Sequence, residues 1–142
     1  MNYLKFPLDF SEMLKTDRIK RCSLEESVAQ HLMMQITCRY GEVAGRKDFG
    51  SDIWELEFAQ LVKLHEWEEV VQKSLMHTVT KYEHRLYDVK VNVVLSEVDV
   101  DVYSKTYSEI KRKAVIRIAG RLFQTGEIFN FNTSVYVSPL SQ

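Results

Sequence analysis

An α+β fold, with N-terminal helices packed on a small antiparallel β-meander of about three strands, is predicted by one change of rhythm along the chain. In two stretches between Ser23 and Tyr82 apolar residues recur every three or four positions, as on a helix. Beyond Arg85 they alternate with polar ones, as on a half-buried strand. Near the C-terminus Gln124-Thr125-Gly126-Glu127 is a connection short enough for a hairpin, which makes the last two strands antiparallel neighbours. At 142 residues the chain has the length of a single compact domain.

Residues 1–22 set Leu4, Phe6, Leu8 and Phe10 before a charged run from Lys15 to Arg21. They carry neither a cap nor a sustained period and read as an N-terminal arm or loop, leaving 23–142 as one domain. A first helix begins at Ser23, because Glu26 three residues on completes a capping box in which each side chain serves the other's free backbone N–H. Leu24, Val28, Leu32 and Ile36 form its stripe with Met33 beside it, and the helix is expected to stop near Tyr40, ahead of Gly41. Residues 41–51 hold three of the five glycines and read as a structured loop. Asp52 and Glu55 then offer an N-cap pair while Trp54, Leu56 and Phe58 alternate with Glu55 and Glu57; a short helix is favoured over a strand.

From His65 to Tyr82 the pattern is strongly helical, with Trp67, Val71, Leu75, Val79 and Tyr82 on one face and Glu66, Glu68 and Glu69 in the first turn, where the macrodipole favours anions. Val89, Val91, Val93 and Leu95 mark the first strand's inner face, with Lys90, Asn92 and Ser96 outward. A second strand runs from about Arg112 to Phe123 with Ala114, Ile116 and Ile118 inward and Arg117 and Arg121 outward, and a third from Ile128 to Val137.

The formal net charge of −1 argues against a dedicated nucleic-acid binder. Charge is nonetheless segregated: residues 42–101 carry 13 acidic and 7 basic side chains, whereas 102–142 carry 2 and 6. Such opposite surfaces steer docking to protein neighbours. Cys22 and Cys38 lack metal-ligand or disulfide-framework spacing and read as reduced thiols. With no signal-peptide core and no run of 18 apolar residues, the expectation is a soluble, intracellular protein.

Chemistry is sparsely signalled. His31, His65, His77 and His84 have no H-x-x-x-H or H-E-x-x-H spacing, and read as surface or partly buried histidines. Nucleophile-elbow, Walker and dinucleotide-binding motifs do not occur. Carboxylates are plentiful, and Asp48 and Glu83 are the best candidates for a glycosidase pair, yet nothing fixes the separation such a pair needs. Tyr82-Glu83-His84-Arg85-Leu86 sits where the long helix meets the first strand, a position that exposes loop residues on a rigid scaffold. Glu83 and Arg85 there either face separate partner groups, or pair with each other and cap the helix end.

The capped start SLEES, the loop GRKDFGS at 45–51, the long helix, and YEHRL leading into DVKVNV together resemble the phage baseplate wedge family, gp25-like proteins once described as acidic lysozymes, which includes TssE of type VI secretion systems. The resemblance spans roughly Ser23 to Val137. Its most specific pieces are DFGS at 48–51 and a Glu-Pro-Arg motif that here reads Glu83-His84-Arg85, with His84 in the proline's place. It implies a structural, non-enzymatic subunit that joins the wedge proteins TssF and TssG and anchors contractile sheath subunits by strand addition at an exposed sheet edge. Partner-binding residues would be Asp48, Phe49, Glu83, His84, Arg85 and Leu86. No catalytic residue, cofactor, metal, nucleic acid or membrane insertion is implied, and the location would be cytoplasmic, in a baseplate at the inner face of the cell envelope. The alternatives on the same fold are an adaptor resembling the anti-adaptor IraD and, less favoured, a peptidoglycan hydrolase.

Overall fold

The computed structural model describes residues 3–54, 64–100 and 109–137, with side chains omitted at 64, 97–100 and 109–111. Its main sheet has the order β3-β4-β5, formed by Leu86–Val100, Glu109–Leu122 and Ile128–Val137, all antiparallel. Two longer helices, α2 (Leu24–Thr37) and α3 (Leu64–Tyr82), cover one face of it, so the α+β prediction holds. Val28, Leu32 and Ile36 of α2 and Trp67, Val71, Leu75 and Val79 of α3 are fully buried against Val93, Ile116, Ile118 and Val135 of the sheet. Each sequence stripe is therefore a core stripe. Tyr82, at the end of its stripe, is only half-buried.

The N-terminal segment is more ordered than an arm without caps. It forms β1 (Tyr3–Leu4), α1 (Phe10–Thr16) and β2 (Arg21–Cys22), with β1 and β2 paired antiparallel. Asp9 caps α1 by accepting from the Glu12 N–H at 3.0 Å, the same relation that Ser23 has with Glu26 at 3.2 Å in α2. Asp17 ends α1 in a left-handed conformation, its N–H bonded to Met13 O. Periodicity gave no warning of this helix because α1 buries nothing: Phe10 and Leu14 are 67% and 89% exposed. Gln30 of α2 holds the segment, accepting from Phe6 N at 2.8 Å and donating to Leu4 O at 3.2 Å.

Helix α2 stops three residues short of Tyr40. The carbonyl of Ile36, which a further turn would spend on Tyr40, instead accepts from Ser51 Oγ at 3.1 Å and Trp54 Nε1 at 2.9 Å. Cys38 O likewise accepts from Ser51 N at 3.2 Å. The expected short helix is a single 3-10 turn at Asp52–Trp54, and Glu55, Leu56, Glu57 and Phe58 lie outside the described residues.

Gly50 makes this return possible. Its φ is +136°, and a Cβ there would stand 2.6 Å from Cys38 O and 2.9 Å from Arg39 C, both backbone atoms that cannot swing aside. Gly50 O also accepts from the buried Thr78 Oγ1 at 2.8 Å, fastening the loop to α3. Gly50→Ala is expected to cost on the order of 3 kcal/mol, read as a lowered denaturation midpoint with unchanged denaturant slope. Gly45→Ala, where nothing lies within 4 Å of the added methyl, is expected to cost about 1 kcal/mol through its positive φ alone.

Candidate functional site

The helix α3 hydrogen-bond ladder ends at Glu83, whose N–H still reaches Val79 O at 2.9 Å, and Leu86 is already in β3. In this connection of three residues, Glu83 to Arg85, Glu83 folds inward, with 2% of its surface exposed. Arg85 closes on it with a two-pronged bond, Nε to Oε1 and Nη2 to Oε2, each 2.8 Å. Its own backbone N–H adds a third bond to Oε1 at 3.1 Å. His31 of α2 donates from Nδ1 to Oε2 at 2.7 Å, a contact that requires the proton on that nitrogen. Arg85 Nη1 donates to Ser27 Oγ at 2.7 Å, and the guanidinium lies 5.3 Å from the Tyr3 ring centroid.

The two charges therefore face each other, the second of the two arrangements that the sequence left open. The chain leaving a helix and entering a strand must here reverse its hydrogen-bonding habit within three residues, and the Glu83 carboxylate supplies the acceptor that the turn lacks. The same bonds restrain the turn, so the exposed His84 stands in it without having to hold it. Burial by itself would raise the Glu83 carboxyl pKa; the bonds from Arg85 and His31 and the Arg85 charge outweigh it, and the group falls from 4.5 to about 2.

DFGS forms the second half of the site. Asp48 accepts from Lys81 Nζ and from the Tyr82 hydroxyl at the end of α3, and these bonds hold its carboxyl well below the usual range. Phe49 is buried, its ring 5.8 Å from that of His31 and edge-on to Tyr82 at 5.2 Å. Thus the motifs at 48–51 and 83–85 meet across Phe49 and His31. Asp48 and His84 remain exposed or partly so and Arg85 is half-buried, whereas Phe49, Glu83 and Leu86 lie inside the chain and offer a partner no direct surface. Beside Arg85 a recess of about 210 Å³ is lined by Phe6, Ser27, Gln30, His31, Met34 and Arg85. Sequence reasoning missed Ser27, His31 and Lys81 as members and placed Tyr82 in the junction segment without its bond to Asp48, since each lies far along the chain from the motif residue it serves or looks like an ordinary helix residue.

This constellation suits a rigid scaffold and not hydrolysis. A glycosidase acid needs a raised pKa, and the Glu83 carboxyl is lowered and fully bonded. A small α+β domain whose motif residues fasten its own elements, leaving an exposed sheet beside them, is a structural assembly module. The family model for baseplate wedge protein gp25 matches residues 22–127, and the chain belongs to that family as a structural, non-enzymatic subunit. A crystal structure from Geobacter sulfurreducens described as a "putative tail lysozyme" is similar in fold, with a TM-score of 0.53 at 18% identity over 84% of this chain and 96% of that one. No curated protein matches. Among the described residues no helix is long and apolar enough to cross a membrane, and no three metal-ligating side chains converge.

Breaking a buried pair strands the surviving charge, so Glu83→Gln and Arg85→Ala are each expected to cost roughly 3 to 5 kcal/mol in thermal or denaturant unfolding. Because the folded pKa of Glu83 is depressed, its contribution is complete above the unfolded value near 4.5 and is lost as pH falls toward about 2. Melting temperature in wild type should drop through that window, and Glu83→Gln should flatten the part of the drop due to this group. Neither protein should clear a peptidoglycan suspension.

Proposed function

We propose that this chain is a TssE-type baseplate subunit of a contractile type VI secretion system, held in the cytoplasm at the inner face of the envelope. In this reading it is bound to TssF and TssG at the junction face and to sheath subunits at the free edge of β5. The observation that carries the sheath assignment is the unequal treatment of the two sheet edges. At β3 the outward N–H groups of Val93 and Leu95 donate to Gln72 Oε1 at 2.9 Å and Glu68 Oε1 at 2.8 Å, both reaching round from α3. Those residues thus point away from β4, so their β4 partners Ile116 and Ala114 point toward β5. Continuing the register, Thr133 and Val135 face β4, and Asn130, Asn132, Ser134 and Tyr136 turn their backbone N–H and C=O groups to the open edge.

An incoming strand finds acceptors and donors at β5, whereas at β3 it meets two occupied N–H groups. The recess lined by apolar Phe6 and Met34 together with Arg85 suits helices of wedge proteins that present a carboxylate between apolar residues.

Ser134→Pro removes one outward donor and is expected to lower sheath co-purification on the order of tenfold while melting changes less. Equal loss of binding and of folded signal would defeat strand addition at β5. Met34→Glu, on a side chain 45% exposed, is expected to keep the fold and lower co-purification with TssF and TssG. Wild-type yield from this variant would remove the wedge assignment from the recess. A soluble monomer that associates with neither sheath nor wedge proteins in cells would favour the adaptor alternative.

A further inference from the structure

The sheet has a second face, away from the helices, that strand addition at an edge does not use. Along β4 every second side chain reaches this face, and Lys113, Arg117 and Arg121 follow one another there at four-residue steps, about 13 Å apart for an extended strand. Register places Lys90 of β3 on the same face, across from Ala119, and Asn92 and Asn132 on either side of Arg117. None of these four cations makes an ion pair among the described residues. Each described outward side chain of β3, β4 and β5 between Lys90 and Tyr136 on this face is basic, amide, hydroxyl or apolar. Between the cations stand exposed apolar groups: Val94 at 49%, Tyr136 at 57% and Ile128 at 70%.

We infer that this face docks an acidic, partly apolar protein segment laid across the strands. Asp88 lines a recess with Lys90 and Arg121, whereas Lys113 and Arg117 have no carboxylate in register on β3 or β5, so these cations repel their neighbours in the free chain and are compensated when carboxylates arrive. A dilute solvated surface would intersperse both signs. Nucleic acid fits less well, because apolar and amide groups occupy the positions between cations where phosphate tracking would call for further charge. The inference concerns a face and does not rest on the assignment of the β5 edge.

The test uses the full chain and three fluorescein-labelled probes in an anisotropy titration: a peptide built of Glu, Leu and Ser, the same peptide with Gln in place of Glu, and a DNA duplex of matched length. The acidic peptide should bind, more weakly as salt is raised past about 0.15 M, and the Gln peptide should not. Lys113→Glu with Arg117→Glu should weaken peptide binding by about tenfold or more, and Arg117→Gln by less in the same direction. Lys73→Glu, an exposed reversal on α3, should leave it unchanged. Melting curves of all variants should match wild type within a few degrees, since the altered side chains lie outside the core. No binding of the acidic peptide, equal binding by Lys113→Glu/Arg117→Glu and wild type, equal loss in Lys73→Glu, or a duplex bound as tightly as the peptide would each overturn the proposal.

Discussion

The Glu83 carboxylate is the constraint on which the arrangement of elements depends. Taking an ionised carboxyl out of water is expensive, and it is tolerated here because each oxygen is fully engaged: Oε1 accepts from the Arg85 backbone and Nε, Oε2 from Arg85 Nη2 and His31 Nδ1. Buried pairs of this kind add little net stability compared with well-packed apolar groups, but they are costly to break and so exclude alternatives. What this one excludes is slippage between elements. It fixes the end of α3, the first residue of β3 and the rotation of α2 through His31, and through Arg85 it reaches Ser27 and the Tyr3 ring. A carboxylate with four aligned donors tolerates no sliding of α2 against α3.

The loop at 48–51 repeats this logic with weaker groups. Asp48 ties to the last turn of α3, Gly50 lets the backbone press against the end of α2, and Ser51 takes over two of that helix's carbonyls. Phe49 then fills the space between His31 and Tyr82. The two motifs that mark the family are thus halves of one clasp, and a change in either is transmitted to the other through a buried ring. The clasp shows at the surface through Arg85, His84 and Asp48.

Most of the fold was legible in the sequence because burial writes itself as period. Val28, Leu32 and Ile36, or Val71, Leu75 and Val79, can be read as stripes, and Ile128–Val137 was bounded correctly by its hairpin and its alternation. Helix α1 escaped because it buries nothing and leaves no period, although its Asp9 and Glu12 spell the same cap as Ser23 and Glu26. The end of α2 was misjudged because its carbonyls are claimed by Ser51 and Trp54, partners 15 and 18 residues away. At the site, the motif residues stood out while His31 did not, since 52 residues separate it from Glu83. Glu68 is the subtlest case. Its position suggests service to the α3 macrodipole, and the carboxylate instead occupies a strand N–H at the sheet edge.

That last detail bears on what an added strand must look like. With two β3 N–H groups taken by Glu68 and Gln72, an extra strand added as proposed would lie beside β5, and its alternate side chains would inherit the two environments that β5 already divides. On the inner side β5 carries Phe129, Val135 and Val137 into the core, and Thr133 touches Met33 Sδ of α2 at 3.7 Å. The next strand's inner residues would therefore extend the apolar layer past Met33. On the outer side it would continue a surface whose central strand bears Lys113, Arg117 and Arg121. A strand alternating apolar with acidic residues satisfies both sides at once, and a register slip of one residue would bury its carboxylates against the core and turn its apolar groups toward the cations. The same alternation that encodes β5 in this chain would then fix the register of its partner.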